Sequence, residues 1–433
     1  MKKEAYYITA EKLIERGKDN IPGELISNTH LIYSSPATLS FNSPGANGFG
    51  VKRAALAIPQ SIMLLVAPGC CGRNTKALSE GGYSDRMFYL IMNETDIVTG
   101  AHLKKIPEAV EEICKLRDKM PSVVMICITC VDALLGTDME RVCRKAMEKV
   151  HVPVLPCYMY ALTREGRKPP MVHVRQSIYS LLEPMEKKAD VVNILGNFAP
   201  IEDDSELYDL LHGIGIRKIN EISRLKNFDE YMNMSHANFN LVLNKEAMFA
   251  ARDIMKRLNI PSVELTRLYQ IDKIQNQYKI FTNALGTGFD DQVYYDEARE
   301  AIDEFKLKYK DMTFAIGEVM NGNPFELSLA LIRYGFKVSE IYGYLTNDDF
   351  VYMKKIAKLS PKTRIYSNLE PTMLYYDLNK EKIDITIGKD AEYYHPHSVN
   401  VPWNQDIQPF GYAGVKKLFG ELKHSMDCFN KED

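Results

Sequence analysis

The chain has 433 residues, of which 45% are hydrophobic and 26% charged, and a formal net charge of −3. Such a length exceeds one ordinary hydrophobic core and favours two or three domains. The near balance of charge excludes a global basic field for nucleic acid or an anionic membrane.

The opening stretch "MKKEAYYITAEKLIERGKDN" has lysines but no apolar segment of signal-peptide type, so a cytoplasmic protein is expected. Its longest apolar runs, "SIMLLVA" and "SVVMICI", have strand length, well short of the roughly 20 residues that span a bilayer. Thiols in such a compartment stay reduced, so the eight cysteines do not read as a disulfide framework. Seven of them fall between Cys70 and Cys157, and Cys428 stands alone near the end.

Along the chain, short β-rich apolar runs alternate with helix-period segments, which is the pattern of a parallel-sheet α/β protein. Strands are expected at 61–67 and 86–92, a helix around 103–119, a strand at 122–130, a helix at 138–150 and a strand at 152–159. A second series follows at 190–195, 216–222, 238–243 and 262–265. After a charged amphipathic helix at 292–310, a third series occupies 313–319, 338–344, 363–367 and 383–388. The expected fold is α/β, three Rossmann-like modules with parallel sheets. Their expected limits are 1–165, with the cysteines, 166–290, and 291–433, ending in a helix.

Open parallel sheets bind ligands beyond the carboxyl ends of their strands, where the loops converge. Cys70 and Cys71 follow the first strand in "IMLLVAPGCCGRNT", and Cys130 ends the strand in "SVVMICITCVDALLGTD". Gly69 and Gly72 let the backbone bend around a bulky inorganic ligand. Residues three apart on a strand point to opposite faces, so Cys127 is expected in the core and Cys130 at the crevice. Cys114 and Cys143 occupy apolar-periodic helix positions and read as packing, while Cys157 after Pro156 is an outside candidate. A vicinal disulfide between Cys70 and Cys71 is possible but strained. Zinc would want four ligands brought together, and the nine histidines are scattered away from the cysteine tips. Two or three thiols per chain suit an iron–sulfur cluster shared between subunits. His395 and His397 in "YYHPHSVNVPW" could reach a ligand, or the segment could be a packed connection. There is no G-x-x-x-x-G-K-[ST] loop, so the chain does not itself read as a P-loop ATPase.

The combination of "APGCCGRNT", "DIVTGAHLKKIPEAVEEI" and "CITCVDALLGTDMERV" resembles the component 1 proteins of nitrogenase and their relatives. Thr129, Cys130, Gly136 and Asp138 match that family's Thr-Cys-x-x-x-x-I-G-D-D turn, and "PFGYAGVKKLFGEL" (409–422) matches its closing segment. The resemblance spans roughly residues 40–420. It implies cluster ligation by Cys70, Cys71 and Cys130, as a four-iron cluster or a P-cluster-like one. It also implies a homodimer or a heterodimer with a paralogous subunit, reduced by an ATP-dependent iron protein.

Departures from the family pattern narrow this expectation. Ala46 stands where the family has its first cysteine, and Asn244 stands where the catalytic subunit has its cofactor cysteine. No counterpart of the cofactor histidine lies between Phe410 and Gly411, so no iron–molybdenum cofactor is expected. Asn244, His395 and His397 remain the candidates for contacts with another cofactor or substrate. The expected function is a subunit of a nitrogenase-like reductase that relays electrons to a substrate between its modules. The alternatives are a non-catalytic scaffold for metallocluster assembly and a metal-free α/β ligand-binding protein.

Overall fold

The computed structural model describes residues 4–26, 33, 35–37, 50–69, 82–158, 168–378 and 382–432. The chain forms two compact units: Asn47–Pro200 with Gly215–Thr266, and Met1–Ala46 with Ile201–Ile214 and Arg267–Asp433. Strand β1 (Ile8–Thr9) and helix α1 (Ala10–Arg16) belong to the latter.

The cysteine-rich region begins with α2 (Gly50–Ala55), β2 (Ile62–Ala67) and β3 (Met87–Ile91). It continues with α3 (Glu94–Thr99), α4 (His102–Leu116), β4 (Val124–Ile128), α5 (Cys130–Leu135), α6 (Met139–Val150) and β5 (Val154–Tyr158). The four strands are parallel, in the order β3-β2-β4-β5. Every residue of β2 and β4 is buried, as expected for a sheet covered on both faces. Strand alternation divides them cleanly. Ile62, Leu64 and Val66 pack with Ile106 and Val110 of α4 and Val142 of α6, whereas Met63, Leu65 and Ala67 join a second core.

That second core is shared with the next sheet of the same unit. After α7 (Pro170–Tyr179) come β6 (Lys188–Leu195), α8 (Glu206–Gly213) and β7 (Lys218–Glu221). Then follow β8 (Ala237–Val242), α9 (Met248–Leu258) and β9 (Ser262–Glu264), giving a parallel sheet ordered β7-β6-β8-β9. Asn220, Asn193 and Asn240 sit side by side on three strands, joined by two amide hydrogen bonds of 2.9 Å. Slipping one strand by one residue would leave these buried amides unpaired, so the ladder pins the register.

The other unit contains α10 (Ile271–Ala284), α11 (Gln292–Tyr309), β10 (Thr313–Ile316), α12 (Pro324–Tyr334) and β11 (Lys337–Tyr342). It continues through α13 (Phe350–Leu359), β12 (Arg364–Tyr366), β13 (Ile385–Ile387), α14 (Lys389–Tyr394), β14 (Val399–Val401) and α15 (Gly411–Glu432). Its sheet runs β1-β12-β11-β10-β13-β14, parallel except for β1 against β12. Neither edge strand is among the expected strands. Helix α8 is held here by a buried carboxylate. Glu206 accepts hydrogen bonds from Tyr278 Oη at 2.7 Å and from the main-chain N–H groups of Tyr412 and Ala413 at 2.8 and 3.0 Å. It thereby satisfies the otherwise orphaned amino end of α15.

Candidate functional site

The carboxyl ends of β2 and β4 lie side by side, with Val66 paired to Ile128. Cys70 and Cys71 follow β2 directly after Gly69 and, like Gly72 and Ala46, lie outside the described residues. The expected strand at 122–130 stops at Ile128, and Cys130 is the first residue of α5. Position 130 therefore stands at the carboxyl edge of the sheet on a helix. An acidic residue, Asp132, in the first turn favours the helix start, and Gly136 at φ 68° ends it.

The other described cysteines of this unit are core residues. Cys127 and Cys157 pair in register on β4 and β5, both fully buried. Their mutual hydrogen bond, together with burial, holds the Cys157 thiol well above its usual range. Burial pushes the Cys143 thiol up to about 12 and raises that of Cys114, so neither is a ready thiolate.

A buried polar clamp stands behind Cys130. His102, in the first turn of α4, and Asp132 are each 1% exposed, and His102 Nε2 lies 3.1 Å from Asp132 Oδ1. His102 Nδ1 is 3.0 Å from the Asp96 carbonyl, which can only accept, so Nδ1 carries a hydrogen. Asp96 is in turn held by a reciprocal cap with Asn93 and by Lys105 Nζ at 2.6 Å. Thr137 Oγ1 donates to Asp132 Oδ1 at 3.1 Å. Asp132 Oδ2 and Thr129 Oγ1 are buried without a hydrogen-bond partner. Burial pushes the Asp132 carboxyl up, against the opposing pull of His102 and Thr137. Around the same sheet edge, Ile91, Val98, Leu103, Leu134 and Leu135 are exposed, Val98 by 85% and Leu134 by 63%.

The remaining candidates are not gathered with the cysteines. Asn244 follows β8 in the cysteine-bearing unit, whereas His395 and His397 follow α14 in the other. Asn244 is half-buried, and its Oδ1 accepts from the Glu246 N–H at 3.0 Å. A Cβ on Gly196 would lie 2.8 Å from Asn244 Cβ, so the ends of β6 and β8 meet closely there. Arg175 closes this edge, donating to the Gly196 carbonyl at 2.8 Å, pairing with Glu246 at 2.8 Å and lying over the Phe198 ring.

His395 is buried, with Nε2 2.8 Å from Glu340 Oε2 and 3.2 Å from the hydroxyls of Tyr342 and Tyr376. Arg364 donates to Glu340 Oε1 at 2.7 Å. Burial alone would raise the Glu340 carboxyl, but His395, Tyr342 and Arg364 together hold it below its usual range. His397, two residues on, is exposed. The sequence reading missed Glu340, whose signal was a lone charge inside the apolar run "VSEIYGY". It also missed Glu318, in the loop after β10, and Asp390, in the first turn of α14. Among the described residues no three histidine, cysteine or carboxylate side chains form a metal-binding group.

Comparison with known proteins agrees with this architecture. The family described as "Nitrogenase component 1 type Oxidoreductase" matches residues 47–426. The nitrogenase iron-molybdenum cofactor biosynthesis protein NifE of Rhizobium meliloti (strain 1021) is 24% identical over 408 residues, covering 87% of this chain and 83% of that protein. The protein of the same name from Mesorhizobium japonicum is 25% identical, covering 90% of this chain and 82% of its own length. A solved structure, "Nitrogenase Cp1 at pH 6.5", superposes with a TM-score of 0.72 at 17% identity, over 96% of this chain and 98% of that one. With its parallel sheets, its cysteine just beyond β4 and a match over most of its length, this chain belongs to the nitrogenase component 1 type oxidoreductase family.

Proposed function

We propose that this chain is the cluster-bearing subunit of a component 1-type complex, with Cys70, Cys71 and Cys130 holding an iron–sulfur cluster where two chains meet. The observation that carries the reading is the sheet edge itself. Two adjacent strands are each followed within three residues of sequence by a cysteine, and exposed Ile91, Val98, Leu134 and Leu135 surround that edge. The donor chemistry fits the group, since such clusters are held by cysteine thiolates. When bound, the cluster supplies one-electron transfer. Three thiols leave a four-cysteine shell incomplete, which calls for a second copy or a paralogous chain. Packing the exposed apolar residues against that partner excludes water from the cluster turns. The electron donor in this reading is an ATP-dependent iron protein.

Two roles are open to such a complex. Assembly of a metallocofactor is favoured by the biosynthesis proteins that align over more than four-fifths of both chains. Reduction of a small molecule is the second reading, supported by half-buried Asn244 beyond β8, where parallel sheets take ligands. In that reading exposed His397 is a further candidate for contact, while His395 serves Glu340. The test is anaerobic reconstitution with iron and sulfide, followed by two assays with the reduced iron protein. Transfer of metal to an apo-acceptor protein supports assembly, and consumption of a small molecule without transfer supports reduction. A protein that stays colourless and iron-free sinks the cluster reading in both forms.

A further inference from the structure

Among its described side chains, the cysteine-bearing helix α5 has little buried apolar surface. Of its described side chains, only Asp132 is fully buried, while Leu134 and Leu135 face solvent and Val131 is partly covered. Among the described side chains of α5, Val131 packs against the core and Asp132 is held by hydrogen bonds in the polar clamp. The clamp is assembled from the helices α3, α4 and α5 at one sheet edge. Asn93 and Asp96 come after β3, His102 begins α4, and Asp132 and Thr137 come after β4. Each link fixes the next: the Asp96 carbonyl aims the imidazole, and the imidazole holds Asp132.

We infer that Asp132, held by His102 and Thr137, is the positioning residue that fixes α5, and with it position 130, at the sheet edge where the cluster binds; this rests on the cluster reading above. Successive residues of a helix turn by about 100°, so position 130 lies roughly 200° around α5 from position 132. Pinning Asp132 toward α4 turns position 130 away from α4. If the clamp is removed, α5 keeps its backbone hydrogen bonds but loses its fixed rotation about its own axis. A ligand that can rotate binds its metal less tightly. Loss of hydrogen-bonding groups that orient metal ligands costs roughly 10–100-fold in metal affinity in other sites.

The experiment uses the full chain, reconstituted anaerobically with iron and sulfide, in wild-type, Asp132→Ala, Asp132→Asn, Thr137→Val and Cys130→Ala forms. Three readouts are taken: the rate of iron loss to a chelator, the electron paramagnetic resonance spectrum of the reduced protein, and the thermal midpoint of the iron-free chain. Asp132→Ala should release iron at least about tenfold faster with an altered spectrum. Asp132→Asn, which keeps an acceptor for Thr137 and a polar group for His102, should restore most of both. Thr137→Val opens no void and should shift release in the same direction by a smaller factor, even if Asp132→Ala fails to fold. A purely structural clamp would lower the iron-free midpoint and leave the spectrum and release rate of the folded variants at wild-type values, and that result overturns the inference. A wild-type chain that takes up no iron overturns the cluster reading itself. A wild type that holds iron equally well as Cys130→Ala removes Cys130 as a ligand, and the inference falls with it.

Discussion

Two carboxyl edges in this chain share a parallel α/β design and are finished in opposite ways. Beyond β2 and β4 the sequence carries thiols, and exposed apolar side chains lie nearby. Beyond β10 and β13 the chain fills the equivalent crevice with its own carboxylate. Asp390 accepts from the N–H groups of Glu318 and Val319 at 2.9 and 3.0 Å, and from Asn368 Nδ2 at 2.8 Å. Asn368 also donates to Glu318 at 2.7 Å. A strand-end crevice with convergent N–H groups is a ready anion site, and here an internal anion occupies it. The same architecture thus yields an edge for which we propose a partner and a cluster, and an edge closed by internal hydrogen bonds.

The largest expected effect breaks the first edge. Cys130→Ala should abolish retention of iron and sulfide after reconstitution. Cys127→Ala should keep them and lower stability by about 1–2 kcal/mol, the usual size for trimming a buried residue. Iron retention in Cys130→Ala, with loss in Cys127→Ala, would reverse the assignment of these two thiols.

The second effect breaks the closed edge. A Cβ on Gly317 would overlap Asp390 Oδ1, so Gly317→Ala must displace a carboxylate bonded to two main-chain N–H groups. The expected loss is on the order of 3 kcal/mol in chemical denaturation, with iron binding at the other edge unchanged. A loss under about 0.5 kcal/mol, the level of an ordinary surface substitution, would show that this crevice yields easily.

A third effect sharpens the contrast through pH. Burial, and then the charge of Asp390, push the Glu318 carboxyl up to about 7. Burial does the same for Glu326, also to about 7, although it accepts from Gln270 Nε2 at 3.0 Å and the Tyr269 N–H at 2.9 Å. Carboxyls whose folded value is raised bind protons more tightly in the folded chain. Their contribution is full below the unfolded value of 4.5 and is lost as pH rises through about 7. For Glu326, 1% exposed, the span from 4.5 to about 7 corresponds to roughly 3 kcal/mol. Urea unfolding should therefore give a chain that is less stable at pH 8 than at pH 5.5, and Glu326→Gln should flatten that difference. A pH profile that the substitution leaves unchanged would mean Glu326 does not carry it.

The smallest effect concerns the surface of the cysteine-bearing unit. Glu111, bonded to Lys115 and Lys149, is held down at about 2 by those hydrogen bonds. Because the trio is exposed, Glu111→Gln should move the unfolding midpoint by less than the other changes, and salt should erase the difference. A shift that persists at high salt would place this trio among the structural contacts.

Much of this organisation was legible in the residues. Alternating apolar runs located β2, β4, β6, β8, β10 and β11, because a strand buried on both faces must be apolar throughout. The burial of Cys114, Cys127 and Cys143 followed from periodicity alone. The placement of cysteines after two such strands was equally local information, and so was the family pattern around Cys130. Tertiary structure decided what depends on partners distant in the chain. Cys130 starts a helix because the strand stops at Ile128, and α5 is tied to α4 because His102 lies where Asp132 can reach it. From sequence, His395 could reach a ligand or sit in a packed connection; in the fold Glu340, 55 residues away, engages its Nε2. Asp390 and Glu206 carry no distinguishing sequence pattern, yet each is buried because main-chain N–H groups converge on it. Periodicity records which face of an element is apolar, whereas a buried charge is set by groups that only the folded chain brings within hydrogen-bond distance.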